Sequence, residues 1–202
     1  MDDKFSIING KIILDTNLAP LHPINKLLYE TIYNLNPKSI LEIGCGAGDS
    51  LVNLKKILPE TEIYGCDLSK KQLEFLNNRH PKLKNFTNIF IHDVTTSLLN
   101  LKVELSFTIS VFMHIQRRHQ YLNALRNIFH ASEKYVLLSE NWRRHNFFND
   151  LKKIVNEPDF PWKNVNFYKV FSGETLLILI SNKKVKGYEE LKDSKEILEF
   201  IY

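Results

Sequence analysis

The sequence predicts an α/β fold: a mostly parallel, doubly wound sheet of seven strands, helices on both faces, and an antiparallel hairpin at the C-terminal end. Three observations predict it. From Ser39 onward, short apolar runs alternate with amphipathic helical stretches, the pattern of strands buried on both faces. Three of the seven glycines fall within residues 44–48, directly after the first of these runs. The last two apolar runs are joined through Ser172-Gly173-Glu174, too short for a crossover, so those two strands pair antiparallel.

Taken in order, FSIINGKIILD places Asn9-Gly10 between apolar residues, a hairpin signal. PINKLLYETIYNL follows as an amphipathic helix, with Leu27, Leu28, Ile32 and Leu35 on one face and Pro37 as its stop. Residues 39–43, 62–67, 88–93, 103–110 and 134–140 read as strands, and 49–58, 69–79, 117–131 and 146–157 as helices, with Ser69 as an N-cap. Residues 165–171 and 175–181 form the closing hairpin, and 183–202 a helical tail of balanced charge. The whole chain, 1–202, reads as one domain: an N-terminal segment 1–37 that lids the site, a core over 38–182, and the tail.

Composition narrows the class. At 202 residues and 25% charged, the chain is ordinary for a soluble globular protein, and no apolar run reaches the ~18 residues of a membrane span. The start MDDKFSIING lacks the apolar core of an export signal, and the two cysteines, Cys45 and Cys66, make neither a zinc site nor a disulfide framework. A cytoplasmic protein without a membrane partner is the expectation, with both thiols as packing residues.

The glycine loop carries the chemistry. In open parallel sheets, ligands sit beyond the carboxyl ends of the strands, where Gly44-Cys45-Gly46-Ala47-Gly48 lies. A dinucleotide fingerprint needs G-x-G-x-x-G, and a P-loop needs Lys before its Ser or Thr; here Asp49 stands in that place. An acid at a helix start repels a pyrophosphate and suits a ligand carrying positive charge.

LEIGCGAG resembles the first motif of the class I S-adenosylmethionine-dependent methyltransferases, and the resemblance continues through IYGCDLS, IFIHDVT and ISVFMHI at three further strand ends, from Ser39 to about Ile128. It implies S-adenosylmethionine as cofactor and S-adenosylhomocysteine as product. Residue by residue, it places Glu42 near the ligand's amino acid end, with Gly44, Gly46 and Gly48 as the loop. Asp67 takes the two ribose hydroxyls and Leu68 lies against the adenine. Asp93 accepts the adenine amino group, with Val94 beside it, and Ser110 and Phe112 run under the methionine part. Asp67 and Asp93 also have a purely structural reading, as helix caps.

Methyl transfer is an in-line displacement, and an oxygen or nitrogen acceptor with a removable proton also needs a base. His114, after the fourth strand, is the first candidate; His119 and His145 are weaker ones. The [DNS]-P-P-[YFW] motif of exocyclic-amine methylation is absent, SVFM standing there instead, and so are the Pro-Cys nucleophile of cytosine C5 chemistry and the acid clusters that hold magnesium. No metal is expected.

Arginine is the minor cation, six of 27, yet Arg117, Arg118, Arg126, Arg143 and Arg144 crowd into residues 117–144. Its planar fork grips phosphate or carboxylate at two points, as lysine does not. Arg117, Arg118, Trp142, Arg143, Arg144 and His145 are therefore the candidate acceptor contacts, for a small anionic molecule such as a phosphorylated metabolite or sugar nucleotide. Tyr29, Tyr33 and His22 are further candidates to reach it. The alternatives are an RNA methyltransferase, with the basic window as binding surface, and a cofactor-binding subunit that needs a partner.

Overall fold

The computed structural model describes residues 5–14, 23–142, 146–172 and 175–198. Strands β1 (Phe5–Ile8) and β2 (Lys11–Leu14) form the expected hairpin, turning at Asn9 and Gly10, both at positive φ, as a tight hairpin turn requires. Helix α1 (Pro23–Leu35) follows, and Asn36, at φ 45°, ends it ahead of Pro37. The hairpin is tied to α1 by Glu30, whose carboxylate accepts from the Ile12 amide at 2.8 Å and pairs with Lys11 at 3.1 Å.

The alternating part runs β3 (Ser39–Ile43), α2 (Asp49–Ile57), β4 (Glu62–Asp67), α3 (Lys70–Arg79), β5 (Thr87–Ile91), β6 (Val103–Ile109), α4 (Arg118–Ala131), β7 (Ser132–Ser139) and α5 (Phe148–Ile154). Ser69 caps α3 as expected, its hydroxyl accepting from the Gln72 amide. Strands β8 (Asn166–Ser172) and β9 (Thr175–Ser181) form the closing hairpin, followed by β10 (Glu189–Glu190) and a short helix α6 (Lys195–Leu198). The sheet order is β10-β8-β9-β7-β6-β3-β4-β5. The pairs β3–β4, β3–β6, β4–β5 and β6–β7 are parallel; β9 runs antiparallel to β7 and β8.

Two expectations need correction. Among the described residues the sheet has eight strands rather than seven, and the tail is not helical throughout. Glu189 and Glu190 pair with Lys169 and Tyr168 on β8, and the described part of the tail is helical only at α6. Lys169 explains the pairing: it lies 2.8 Å from Glu189 and 3.0 Å from Glu196, so one cation anchors both the added strand and the helix after it.

Strand alternation sorts the core onto two faces. Leu41, Ile43, Val136 and Leu138 pack with Ala124, Ile128 and Phe129 of α4 and Leu151 of α5. Ile40, Leu105, Phe107 and Leu137 pack with Leu28 and Ile32 of α1 and Leu51 and Leu54 of α2. Each such buried side chain contributes about 1.5–3 kcal/mol. Helix α1 is thus a core layer lying against β8 and β9, with Tyr29 fully buried in it. No helix among the described residues is long and apolar enough to cross a membrane.

Candidate active site

The parallel strands end together at one edge, and the loops leaving β3, β4, β5 and β6 enclose a cavity of about 460 Å³. Of the residues expected at the cofactor, Gly44, Gly46, Asp67, Leu68, Asp93, Val94 and Ser110 line it, and so does His114. Sequence positions 44 to 114 meet here because β3 sits between β4 and β6, so the chain reverses its direction across the sheet at this point.

The three glycines have different work. Gly44 (φ 75°) lies so close to Val111 that an added Cβ would come within 2.6 Å of the Val111 side chain. Gly46 (φ 48°) has nothing within 4 Å of that position; its bare backbone faces the cavity, and its N–H donates to Asp67 Oδ2 at 2.9 Å. Gly48 does not line the cavity. It packs against Leu76 of α3, where a Cβ would meet the leucine at 2.7 Å.

Asp67 Oδ1 accepts from the Ser69 amide at 2.7 Å. Each oxygen keeps a further lone pair, so the fixed carboxylate accepts hydroxyl donors as well. Beside it Leu68 is 65% exposed, an apolar surface held at the cavity rim. Asp93 is fixed by Thr95, whose amide and hydroxyl both donate to Oδ1, at 2.9 and 2.7 Å. Asn127 of α4 donates to the Val94 and Ser97 carbonyls and so ties down that loop.

Glu42 lies outside the cavity lining, buried beside the first turn of α2. Burial pushes its carboxyl well above the usual range; Asp67 and Asp49 add to this, and a Ser50 hydrogen bond opposes it. Its Oε2 has no hydrogen-bond partner among the described residues. Cys45 and Cys66 are buried on opposite faces of the sheet, and burial raises both thiols, as befits packing residues.

The acceptor-side candidates scatter. His114 is exposed on the cavity wall, and Arg117, the N-cap of α4, is exposed beyond it. Arg118 does not line the cavity: its guanidinium donates to Asp150 Oδ1 at 2.8 Å, beside a Tyr121–Asp150 hydrogen bond. Arg126 makes a two-pronged bond to Glu157, both distances 2.7 Å. Phe112 and Trp142 are core residues, packed at a tilt against Phe147 at 5.0 and 4.6 Å between centroids. Tyr33 and His119 do not line the cavity either. His22, Arg143, Arg144 and His145 lie outside the described residues.

Sequence reasoning gives Glu140 no place in the site. The structure gives it three hydrogen bonds: from the Thr108 hydroxyl at 2.7 Å, the Val111 amide at 3.1 Å and the Phe112 amide at 3.0 Å. Burial raises its carboxyl to about 7, while those three donors pull the other way. No local pattern announces it, since its partners lie 28 to 32 residues earlier in the chain.

The residues present fit a nucleoside that carries a cationic centre. Among the described residues no lysine or arginine lines the cavity and Glu42 Oε2, close by, has no partner, while the carboxylates and apolar rim of the cavity suit ribose and base. Residues 41–131 match the model of a family described as a methyltransferase domain. The tRNA N(3)-methylcytidine methyltransferase trm141 of Schizosaccharomyces pombe is 33% identical over 63 residues, 31% of this chain and 25% of that protein. Mettl2 of Drosophila melanogaster, with the same activity in its name, is 32% identical over 63 residues, 30% of this chain and 19% of its own length. The chain thus spans about a quarter or less of these relatives.

Among solved structures, the methyltransferase domain of bacterial CtHen1-C superposes with a TM-score of 0.62 at 15% identity, over 78% of this chain and 95% of that one. A TehB-like S-adenosylmethionine-dependent methyltransferase from Corynebacterium glutamicum superposes at 0.58 with 15% identity, over 81% and 89%. These likenesses concern the fold; the matched domain and the cradle at its strand ends concern the ligand. Residues 41–131 are thus matched as a methyltransferase domain, and the fold is the one that class I S-adenosylmethionine-dependent methyltransferases have.

Proposed function

We propose that this chain methylates an oxygen or nitrogen of a small acceptor bearing a phosphate or carboxylate. The observation that carries this reading is His114 on the cavity wall with Arg117 three residues further along the chain, at the N-cap of α4 and beyond that wall. Both are exposed, and neither side chain makes a hydrogen bond or ion pair among the described residues. The other described arginines of the window, Arg118 and Arg126, are held by Asp150 and Glu157.

The cofactor of this reading is S-adenosylmethionine, which when bound would supply an activated methyl group. On this reading Asp67, Leu68 and Asp93 hold the nucleoside, and the walls at Val94 and Ser110 fix its orientation and exclude water. His114 takes the proton that the acceptor's hydroxyl or amine gives up as it gains the methyl group. Arg117 grips the acceptor's anion with its fork, and Arg143, Arg144 and His145 belong to the same proposal.

A second reading, an RNA acceptor, is favoured by the names of the relatives, which act on tRNA. Tritiated S-adenosylmethionine separates the two. The chain is offered a pool of phosphorylated and carboxylated small molecules, and bulk tRNA in parallel. The small-molecule reading expects label in the pool. Label in tRNA alone, with a rate that falls steeply with salt, would overturn it.

A further inference from the structure

We infer that Glu140 is the positioning residue of this site: its carboxylate clamps the segment from Ser110 to His114 against the glycine loop and so shapes the cavity wall. The inference rests on the cofactor-binding part of the reading above and is independent of the acceptor.

The chain leaves β6 through Ser110, which stands at φ 54°, a conformation unfavourable for a non-glycine residue that persists only where its surroundings enforce it. Two sets of contacts enforce it. Below, the Ser110 amide donates to the Ser139 carbonyl at 2.8 Å. Above, the next two amides, Val111 and Phe112, donate to the two oxygens of Glu140, one residue past the end of β7. These amides open the single turn from Phe112 to His114, and Glu140 stands where a capping carboxylate would.

The clamp reaches the ligand cavity by contact. Val111 presses on Gly44, the glycine whose absent side chain leaves room for it, while Ile109, Ser110, Val111, His114 and Ile115 all line the cavity. Glu140 itself does not line it and is 8% exposed. It therefore acts through the segment it holds. Ionised, as it is above the pH of about 7 to which burial raises its titration, the carboxylate accepts all three donors it faces. An amide in its place turns an N–H toward one of them, leaving a buried donor unmade.

Titration of S-adenosylhomocysteine into Glu140→Gln, Thr108→Val and the wild-type chain, by calorimetry alongside a melting curve for each, tests this. Thr108→Val removes one bond from the same carboxylate but leaves both backbone bonds in place. Glu140→Gln is expected to bind about tenfold more weakly at a temperature where it is folded, and Thr108→Val within about twofold of wild type even where its melting point falls as far. Equal affinity of Glu140→Gln and wild type overturns the inference, as do equal losses in both variants, which mark a purely structural carboxylate. Wild-type chain that binds no S-adenosylhomocysteine overturns the functional reading itself, and this inference with it. Should Glu140→Gln not fold, hydrogen exchange on the wild-type chain decides. Val111 and Phe112 amides protected like those of β6 support the clamp, and exchange at the rate of open loops overturns it.

Discussion

At the ends of β3 and β4, polar groups and bare backbone face outward into a cavity: Gly46 has no neighbour where a side chain would be, and Leu68 is exposed beside Asp67. At the ends of β6 and β7 the opposite holds. Glu140 turns inward to three donors, Arg118 and Arg126 are bonded to Asp150 and Glu157, and Trp142 and Phe112 pack against Phe147 in the core. One half of the edge is open for a ligand, and the other consumes most of its described charge in holding itself together. Strand-end chemistry thus identifies a cofactor site directly, whereas clustering of arginines in sequence does not by itself identify an acceptor site.

The comparison breaks most sharply at Asp67. Asp67→Ala should lower S-adenosylhomocysteine affinity about 100-fold, roughly 2.8 kcal/mol, as read by calorimetry. It removes both the acceptor for hydroxyls and the bonds from Gly46 and Ser69 that shape the cradle. A loss under threefold would put the open half on the same footing as the closed one.

Next in size is the buried carboxyl of Glu42, which distinguishes a group kept for a ligand from one kept for the fold. Its folded pKa lies above its unfolded value, so its contribution to stability is intact below pH ~4.3 and is lost as pH rises through the folded value. Ligand-free Glu42→Gln should gain stability relative to wild type as pH rises from about 4 to about 8 in urea unfolding, since Glu140 titrates alike in both chains. A difference that does not change with pH would contradict this origin.

The two neighbouring arginines make a smaller and more selective contrast. Arg117→Ala should raise the acceptor's KM about tenfold, about 1.4 kcal/mol, while Arg118→Ala, whose guanidinium is held by Asp150, should leave it within twofold. The reverse order in steady-state kinetics would move the acceptor to the Arg118 side. The smallest effect belongs to Trp142→Phe. The indole N–H is buried without a partner among the described residues, so losing it offsets part of the lost packing. Stability by denaturant should change by less than about 1.5 kcal/mol, with cofactor affinity unchanged.

These contrasts also mark what was legible in the chain. Strands β3 and β4 fall at the expected residues because each is a short apolar run closed by a glycine or an acid, and the motif residues at their ends came with them. Strand β10 was not legible: Glu189-Glu190 carries no apolar alternation, and it pairs because Lys169, twenty residues earlier, meets its charge. Trp142 beside Arg143-Arg144 resembles a binding surface in sequence, yet the fold turns it onto Phe147. Glu140 carries no local signal, because the amides it serves come from the loop after the neighbouring strand β6.

The central claim is that the glycine and carboxylate cradle at the ends of β3 and β4 holds S-adenosylmethionine. Calorimetric titration of S-adenosylhomocysteine into the folded wild-type chain tests it most directly. The account predicts saturable heat at one site per chain, abolished or strongly weakened by Asp67→Ala. No heat from a folded sample, or equal heat from the Asp67→Ala chain, would contradict it.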